Sequence, residues 1–152
     1  MKGLIQRVSE ASVTVQGERI AAIGPGLLLL LGVELGDGER EVAELCQRIL
    51  TYRVFPDDAG RMNRSLADIG GELLVVPQFT LAADTSSGTR PGFSRAAKPD
   101  EANHLVRQFV AQARAGLGAD RVGEGQFGAD MKVGLVNDGP VTFLLESRQR
   151  GR

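Results

Sequence analysis

Hydrophobic positions along this chain follow two periods. Lys2 to Val8 alternates polar and apolar, and Ala11 to Gln16 does so again with Val13 and Val15 on one face, which predicts two strands. Gly17-Glu18 reads as a tight turn into a third strand, Arg19 to Ile23. Gly24-Pro25-Gly26 then breaks the chain before the run Leu27 to Leu31. That run is apolar at every position and reads as a strand buried on both faces. Beyond Gly36-Asp37-Gly38 the period lengthens. Val42, Leu45, Cys46, Ile49 and Leu50 recur at three- and four-residue spacing, predicting an amphipathic helix from Glu39 to near Tyr52. Arg53-Val54-Phe55 reads as a short strand before the turn Pro56 to Gly60, and a polar stretch follows with Ser65, Leu66 and Ile69 as anchors. Gly70-Gly71 precedes a second buried strand, Glu72 to Val76, which runs into Pro77-Gln78-Phe79-Thr80-Leu81.

A second helix is expected from Pro99, because Pro followed by Asp100 and Glu101 suits a helix N-terminus. Leu105, Phe109 and Val110 form its apolar stripe, and Gly116 ends it. A glycine-rich link, Gly118 to Gly128, leads to two closing strands, Met131 to Val136 and Val141 to Glu146. On spacing alone, Asn137-Asp138-Gly139-Pro140 between them reads as a hairpin turn. The polar tail, Ser147 to Arg152, is expected to fray. Strands, helix, strand, helix, strands, without a helix after each strand, is an α+β order and not a doubly wound parallel sheet. The pattern shows no repeat and no linker, so residues 1–152 are expected to form one domain with two main helices.

Composition narrows the function. With 42% hydrophobic and 24% charged residues, the chain has ordinary globular usage and enough length for one core. The formal net charge of −1 argues against a protein that coats nucleic acid, although not against one that grips only an RNA end. The stretch Thr89 to Lys98 is the local exception, with Arg90, Arg95 and Lys98 and no acid. The single cysteine, Cys46, excludes an intrachain disulfide and a thiolate-pair metal site, and its place on the apolar stripe of a helix makes it a structural thiol. The single histidine, His104, lies in a polar helical stretch, poorly placed for a Ser-His-Asp triad. No metal or cofactor is expected. The start lacks a leader pattern and the Leu27 to Leu31 run is far below the roughly 20 residues of a membrane span, so a cytoplasmic protein without a membrane partner is expected.

Two segments carry candidate chemistry. Gln78, Phe79 and Thr80 emerge from a buried strand, where a rigid scaffold presents side chains, and they offer an amide and a hydroxyl. The second is Asn137-Asp138-Gly139-Pro140-Val141-Thr142. Together the two segments resemble the D-aminoacyl-tRNA deacylase family. So do Ile5-Gln6-Arg7-Val8, Ala11-Ser12-Val13, Leu81-Ala82-Ala83-Asp84-Thr85, Arg90-Pro91-Gly92-Phe93-Ser94 and Phe127-Gly128-Ala129-Asp130-Met131, in order along nearly the whole chain. One residue departs from the family, which usually has Ser where this chain has Pro77. A related group that edits L-alanine from mischarged tRNA shares the Pro-Gln start but has Ala at the place of Phe79.

The resemblance implies a compact β-barrel-like α+β fold that works as a homodimer, with active sites at the interface. It implies catalytic roles for Gln78, Phe79 and Thr80. It also implies a cis Gly139–Pro140 bond that enters the partner's site and rejects L-residues sterically, and candidate substrate contacts from Asn137, Phe127 and Met131. The implied partner is the 3′ end of aminoacyl-tRNA. The competing class is a small dimeric barrel that binds a nucleotide or an RNA end without turning it over, and among enzymes an L-alanyl editing activity is the runner-up.

Overall fold

A computed structural model describes residues 1–147; residues 148–152, most of the tail expected to fray, lie outside the described residues. The chain begins with β1 (Lys2–Val15), one strand where the sequence suggests two. Ser9 and Glu10 do not end it. The register against its neighbour shifts around Val8 instead, so a bulge absorbs the break in alternation. Gln16 and Gly17 turn the chain with φ of 50° and 80°, the left-handed pair that a two-residue hairpin needs, into β2 (Glu18–Ile23). Next comes β3 (Gly26–Gly32), then α1 (Glu39–Thr51), which buries the five apolar residues its period predicts.

The short hairpin β4 (Phe55–Pro56) and β5 (Met62–Arg64) replaces the single strand expected at Arg53 to Phe55. The one-turn α2 (Leu66–Ile69) was hidden in the polar stretch: Ser65 and Asp68 cap it reciprocally, a signal carried by only four residues. Leu66 is buried there, whereas Ile69 is exposed and is not an anchor. β6 (Glu72–Pro77) follows, then a tight 3₁₀ turn over Phe79–Ala82. Helix α3 (Pro99–Leu117) runs one residue past the expected stop at Gly116, and Gly118 caps it with φ 112°. The glycine-rich link hides β7 (Val122–Glu124), whose three residues are too few to show a period.

The last element, β8 (Lys132–Glu146), corrects the hairpin expected at Asn137 to Pro140. Both expected strands are halves of one strand, and both lie antiparallel along β1: Thr14 pairs with Lys132 and Lys2 with Glu146. From Val8 opposite Asn137 to Gln6 opposite Thr142, β1 advances two residues and β8 five, so Asp138 to Val141 are extruded as a bulge.

The main sheet runs β2-β1-β3-β6-β7, with β8 on the other edge of β1, and curls into a nearly closed barrel in a single compact α+β domain. Its faces bury two clusters. Ile5, Leu27, Leu29, Leu31, Leu73 and Val75 meet α1 and α3 outside, while Val13, Ile23, Leu28, Leu74 and Val76 meet across the barrel. This explains the unbroken leucine run. β3 and β6 pair in parallel at the centre, so both faces need apolar side chains. No helix among the described residues is long and apolar enough to cross a membrane.

Candidate active site

β6 delivers Gln78 to the carboxyl end of the central pair, where its N–H donates to the Leu31 carbonyl at 2.8 Å. The 3₁₀ turn then packs on β3 because Gly32 leaves room: a Cβ there would stand 2.9 Å from Leu81 Cβ and 3.1 Å from the Gln78 carbonyl oxygen. The Gln78 side-chain amide donates to the Thr80 hydroxyl, a bond too local to orient either group by itself. Within the turn, Leu81 N–H returns to the Gln78 carbonyl. The N–H groups of Phe79 and Thr80, at the start of the turn, take no backbone acceptor among the described residues, so two neighbouring donors are left without a backbone partner. Among the described residues no carboxylate or imidazole bonds the Thr80 hydroxyl, and His104 is exposed on α3.

The exposed Phe79 ring lies 5.3 Å, centroid to centroid, from Phe93. Met131 approaches this strand end from β7's side. A Cβ on Gly125 would meet Met131 Sδ at 2.8 Å and Pro77 Cδ at 3.5 Å. Phe127 is half-buried and packs against the helix-side core. Among the described residues, no group of three or more His, Cys, Asp or Glu is arranged to hold a metal ion.

The bulge on β8 is built by its own polar residues. Asn137 Oδ1 accepts from Val141 N–H at 3.1 Å and its amide donates to Thr142 Oγ1 at 3.1 Å, so this side chain closes the base of the bulge. Gly139 has φ 138°, and the Gly139–Pro140 peptide is cis. The residue that sequence reasoning missed is Arg7. Its Nε donates to the Asp138 carbonyl at 3.0 Å, and a terminal nitrogen donates to the Val54 carbonyl at 2.8 Å. Only the resemblance of Gln6-Arg7-Val8 to the family pointed there, since an arginine on an alternating strand reads as a solvated face.

No hydrogen bond or ring contact among the described residues joins the two segments within one chain. Gln78 sits beside Leu31, which pairs with Gly3, while the bulge lies beside Arg7 and Val8. Four residues along β1 and three strand spacings across the sheet separate them, roughly 15–20 Å. A single aminoacyl group cannot bridge that gap.

The family model described as D-Tyr-tRNA(Tyr) deacylase matches residues 4–146. A D-aminoacyl-tRNA deacylase of Marinobacter nauticus is 72% identical over 151 residues, covering 99% of this chain and 97% of that protein. One of Cereibacter sphaeroides is 58% identical over 148 residues, covering 97% and 100%. Among solved structures, a c-Myc DNA Unwinding Element Binding Protein superposes with TM-score 0.94 at 41% identity, covering 98% of this chain and all (100%) of that one. A probable eukaryotic D-amino acid tRNA deacylase superposes with TM-score 0.82 over 95% of this chain and 98% of that one, and at 16% identity it attests the fold alone. Family match, curated relatives and fold agree: the chain belongs to the D-aminoacyl-tRNA deacylase family of hydrolases.

Proposed function

We propose that the chain hydrolyses the ester at the 3′ end of D-aminoacyl-tRNA in the cytoplasm, as a homodimer whose every site takes Gln78, Phe79 and Thr80 from one subunit and Gly139–Pro140 from the other. The observation that carries this reading is the pair of neighbouring N–H groups at Phe79 and Thr80 that take no backbone acceptor, beside a hydroxyl that no base contacts among the described residues. Such a turn suits stabilisation of a developing oxyanion better than nucleophilic attack. A water oxygen attacks the carbonyl carbon, the carbon–O3′ bond breaks, and the proton passes to O3′, yielding free D-amino acid and tRNA. The ester is activated, so positioning and the neighbouring 2′-OH of the terminal adenosine suffice. Gln78 and Thr80 orient the substrate. Phe127, Met131 and Asn137 border the site, Asn137 through the shape of the bulge it closes.

Stereoselection follows from a backbone wall. The Gly139–Pro140 segment presents no side chain of its own at Gly139, and it stands where an L-residue would point its Cβ. Rejection of one face needs no recognition of any D side chain, so the substrate range is broad and glycine passes. Purified protein should hydrolyse D-tyrosyl-, D-aspartyl- and glycyl-tRNA and spare the matched L-esters. Comparable turnover of an L-ester, L-alanyl-tRNA included, would overturn the stereochemical reading. Binding without turnover of any ester would favour a nucleic-acid-binding role, which the name of the 41% identical structural relative suggests for that protein.

A further inference from the structure

The basic stretch Thr89 to Lys98 is not used by this mechanism, yet it is held firmly beside the site. Gly92 and Asp84 exchange backbone hydrogen bonds at 2.7 and 2.9 Å, Leu35 N–H donates to the Arg95 carbonyl at 2.9 Å, and Ala97 N–H donates to Val33 at 3.1 Å. The loop therefore has a fixed backbone, with Ala97 packed against the core and every residue from Thr89 to Arg95 exposed. Phe93 is 43% exposed and Phe79, which it touches, is 61% exposed, an unusual degree of exposure for two adjoining rings. Arg90 and Arg95 are exposed, and neither forms an ion pair among the described residues. The acid that feels Arg95 is Asp84. Its carboxyl is held below the usual range chiefly by hydrogen bonding to Ser86, with Arg95 a lesser cause, and its Oδ1 accepts from Ser86 N–H at 3.0 Å. Lys98 is different, because it stands at the start of α3 beside Asp100 and Glu101.

We infer that Arg90, Phe93 and Arg95 form a landing surface for the single-stranded nucleotides that precede the terminal adenosine of the substrate RNA. Cations alternating with an exposed aromatic ring suit single strands, where phosphates need neutralising and an unstacked base offers a face to a ring. A duplex offers no free base face. In a chain of net charge −1, two unpaired arginines on one fixed loop also steer an RNA end toward the adjoining turn. This inference rests on the reading of Gln78 to Thr80 as the ester site, which fixes where the terminal adenosine lies.

The test compares R90Q/R95Q with the unchanged protein on two substrates across a range of salt. One is D-aminoacyl-tRNA and the other is the D-aminoacyl ester of adenosine, which carries no phosphate. On tRNA, kcat/KM of the double variant should fall about tenfold at low salt, through KM. Its logarithmic salt slope should shrink by about 1.4, about 0.7 for each single-strand phosphate released. On the adenosine ester the rate should not change. F93L should weaken tRNA use about tenfold while leaving the salt slope alone, because stacking releases no counterion. An unchanged salt slope in R90Q/R95Q, or equal losses on both substrates, would overturn the inference. If the unchanged protein hydrolyses neither ester, the proposed function fails instead. Salt-dependent binding of uncharged tRNA by the two proteins then decides the landing surface on its own.

Discussion

At the residue scale the bulge on β8 depends on a brace and a gap. The brace is Arg7, which spans the Asp138 and Val54 carbonyls with two different nitrogens while only 14% of its side chain is exposed. A lysine ends in a single ammonium on a flexible stem and lacks the rigid fork that sets two separate nitrogens each against its own carbonyl. R7K should therefore lower kcat/KM on D-tyrosyl-tRNA about tenfold or more, with a stability loss near 1–3 kcal/mol for the orphaned carbonyls; steady-state kinetics and urea unfolding measure the two. The gap is Gly139. A Cβ there would lie 2.7 Å from Val141 Cγ2 and 3.0 Å from Val141 N, on a backbone with φ 138° that side chains rarely adopt. G139A should cost about 1–3 kcal/mol, which the fold survives, yet remove most activity because the bulge must move. Full activity in G139A would show that the bulge does not contact substrate. Thr80 is the opposite case. Among the described residues its hydroxyl only accepts from Gln78, so T80A should keep substantial activity, whereas deleting the 2′-OH of the terminal adenosine should be far more damaging. Trapping an aminoacyl ester on Thr80 would refute this.

Elements were legible in the sequence to the extent that they were long and buried. α1 and α3 each carry several turns of apolar stripe, and the leucine run announces β3. β5, α2 and β7 have three or four residues each, too few for any period to register, and tertiary pairing makes them. Gln78 to Thr80 could be singled out because polar residues follow a buried strand. The continuity of β8 could not, because Asn-Asp-Gly-Pro is the composition of a turn, and only pairing with β1 converts a turn into a bulge. Close approach was equally hidden. Gly26 looked like punctuation, but a Cβ on it would stand 1.8 Å from the Glu72 carbonyl oxygen, inside the parallel pair of β3 and β6. G26A should lose about 3 kcal/mol or more in urea unfolding, because backbone must move against backbone. On α1, burial pushes the Cys46 thiol up to about 11, so the neutral thiol is favoured in the folded state. Between the unfolded value near 9 and the folded value the native state holds more protons. Stability should thus fall as pH rises through that window, by at most about 1.4 kcal/mol per unit, and C46A should flatten the decline. An identical pH profile in C46A would assign the loss elsewhere.

At the scale of the whole molecule, β8 is anomalous. It pairs with β1 on one edge and with no strand on the other among the described residues, and Leu135, Val136, Phe143 and Leu144 are all exposed along it at 37–50%. A long bare edge with exposed apolar side chains is a liability unless something covers it. In the proposed homodimer a second copy of the chain would cover it symmetrically and bring its bulge to the Gln78 turn, which lies roughly 15–20 Å along the sheet from the bulge of the same chain. Mixing inactive subunits separates this arrangement from one in which each chain completes its own site. One subunit carries G139A, the other Q78A, each expected to be inactive alone. In a mixed dimer with sites shared across the interface, both defects fall in the same site and the other site is whole. Random exchange of equal amounts makes half the dimers mixed, so activity should return to about one quarter of the unchanged protein. If each chain completes its own site, every site in the mixed dimer keeps one defect and activity stays at the level of the parents. Affinity tags on the two chains allow the mixed dimer to be isolated first, so silence cannot be blamed on failure to exchange. A mixed dimer that is pure and still inactive means the Gly139–Pro140 bulge does not serve the partner's Gln78.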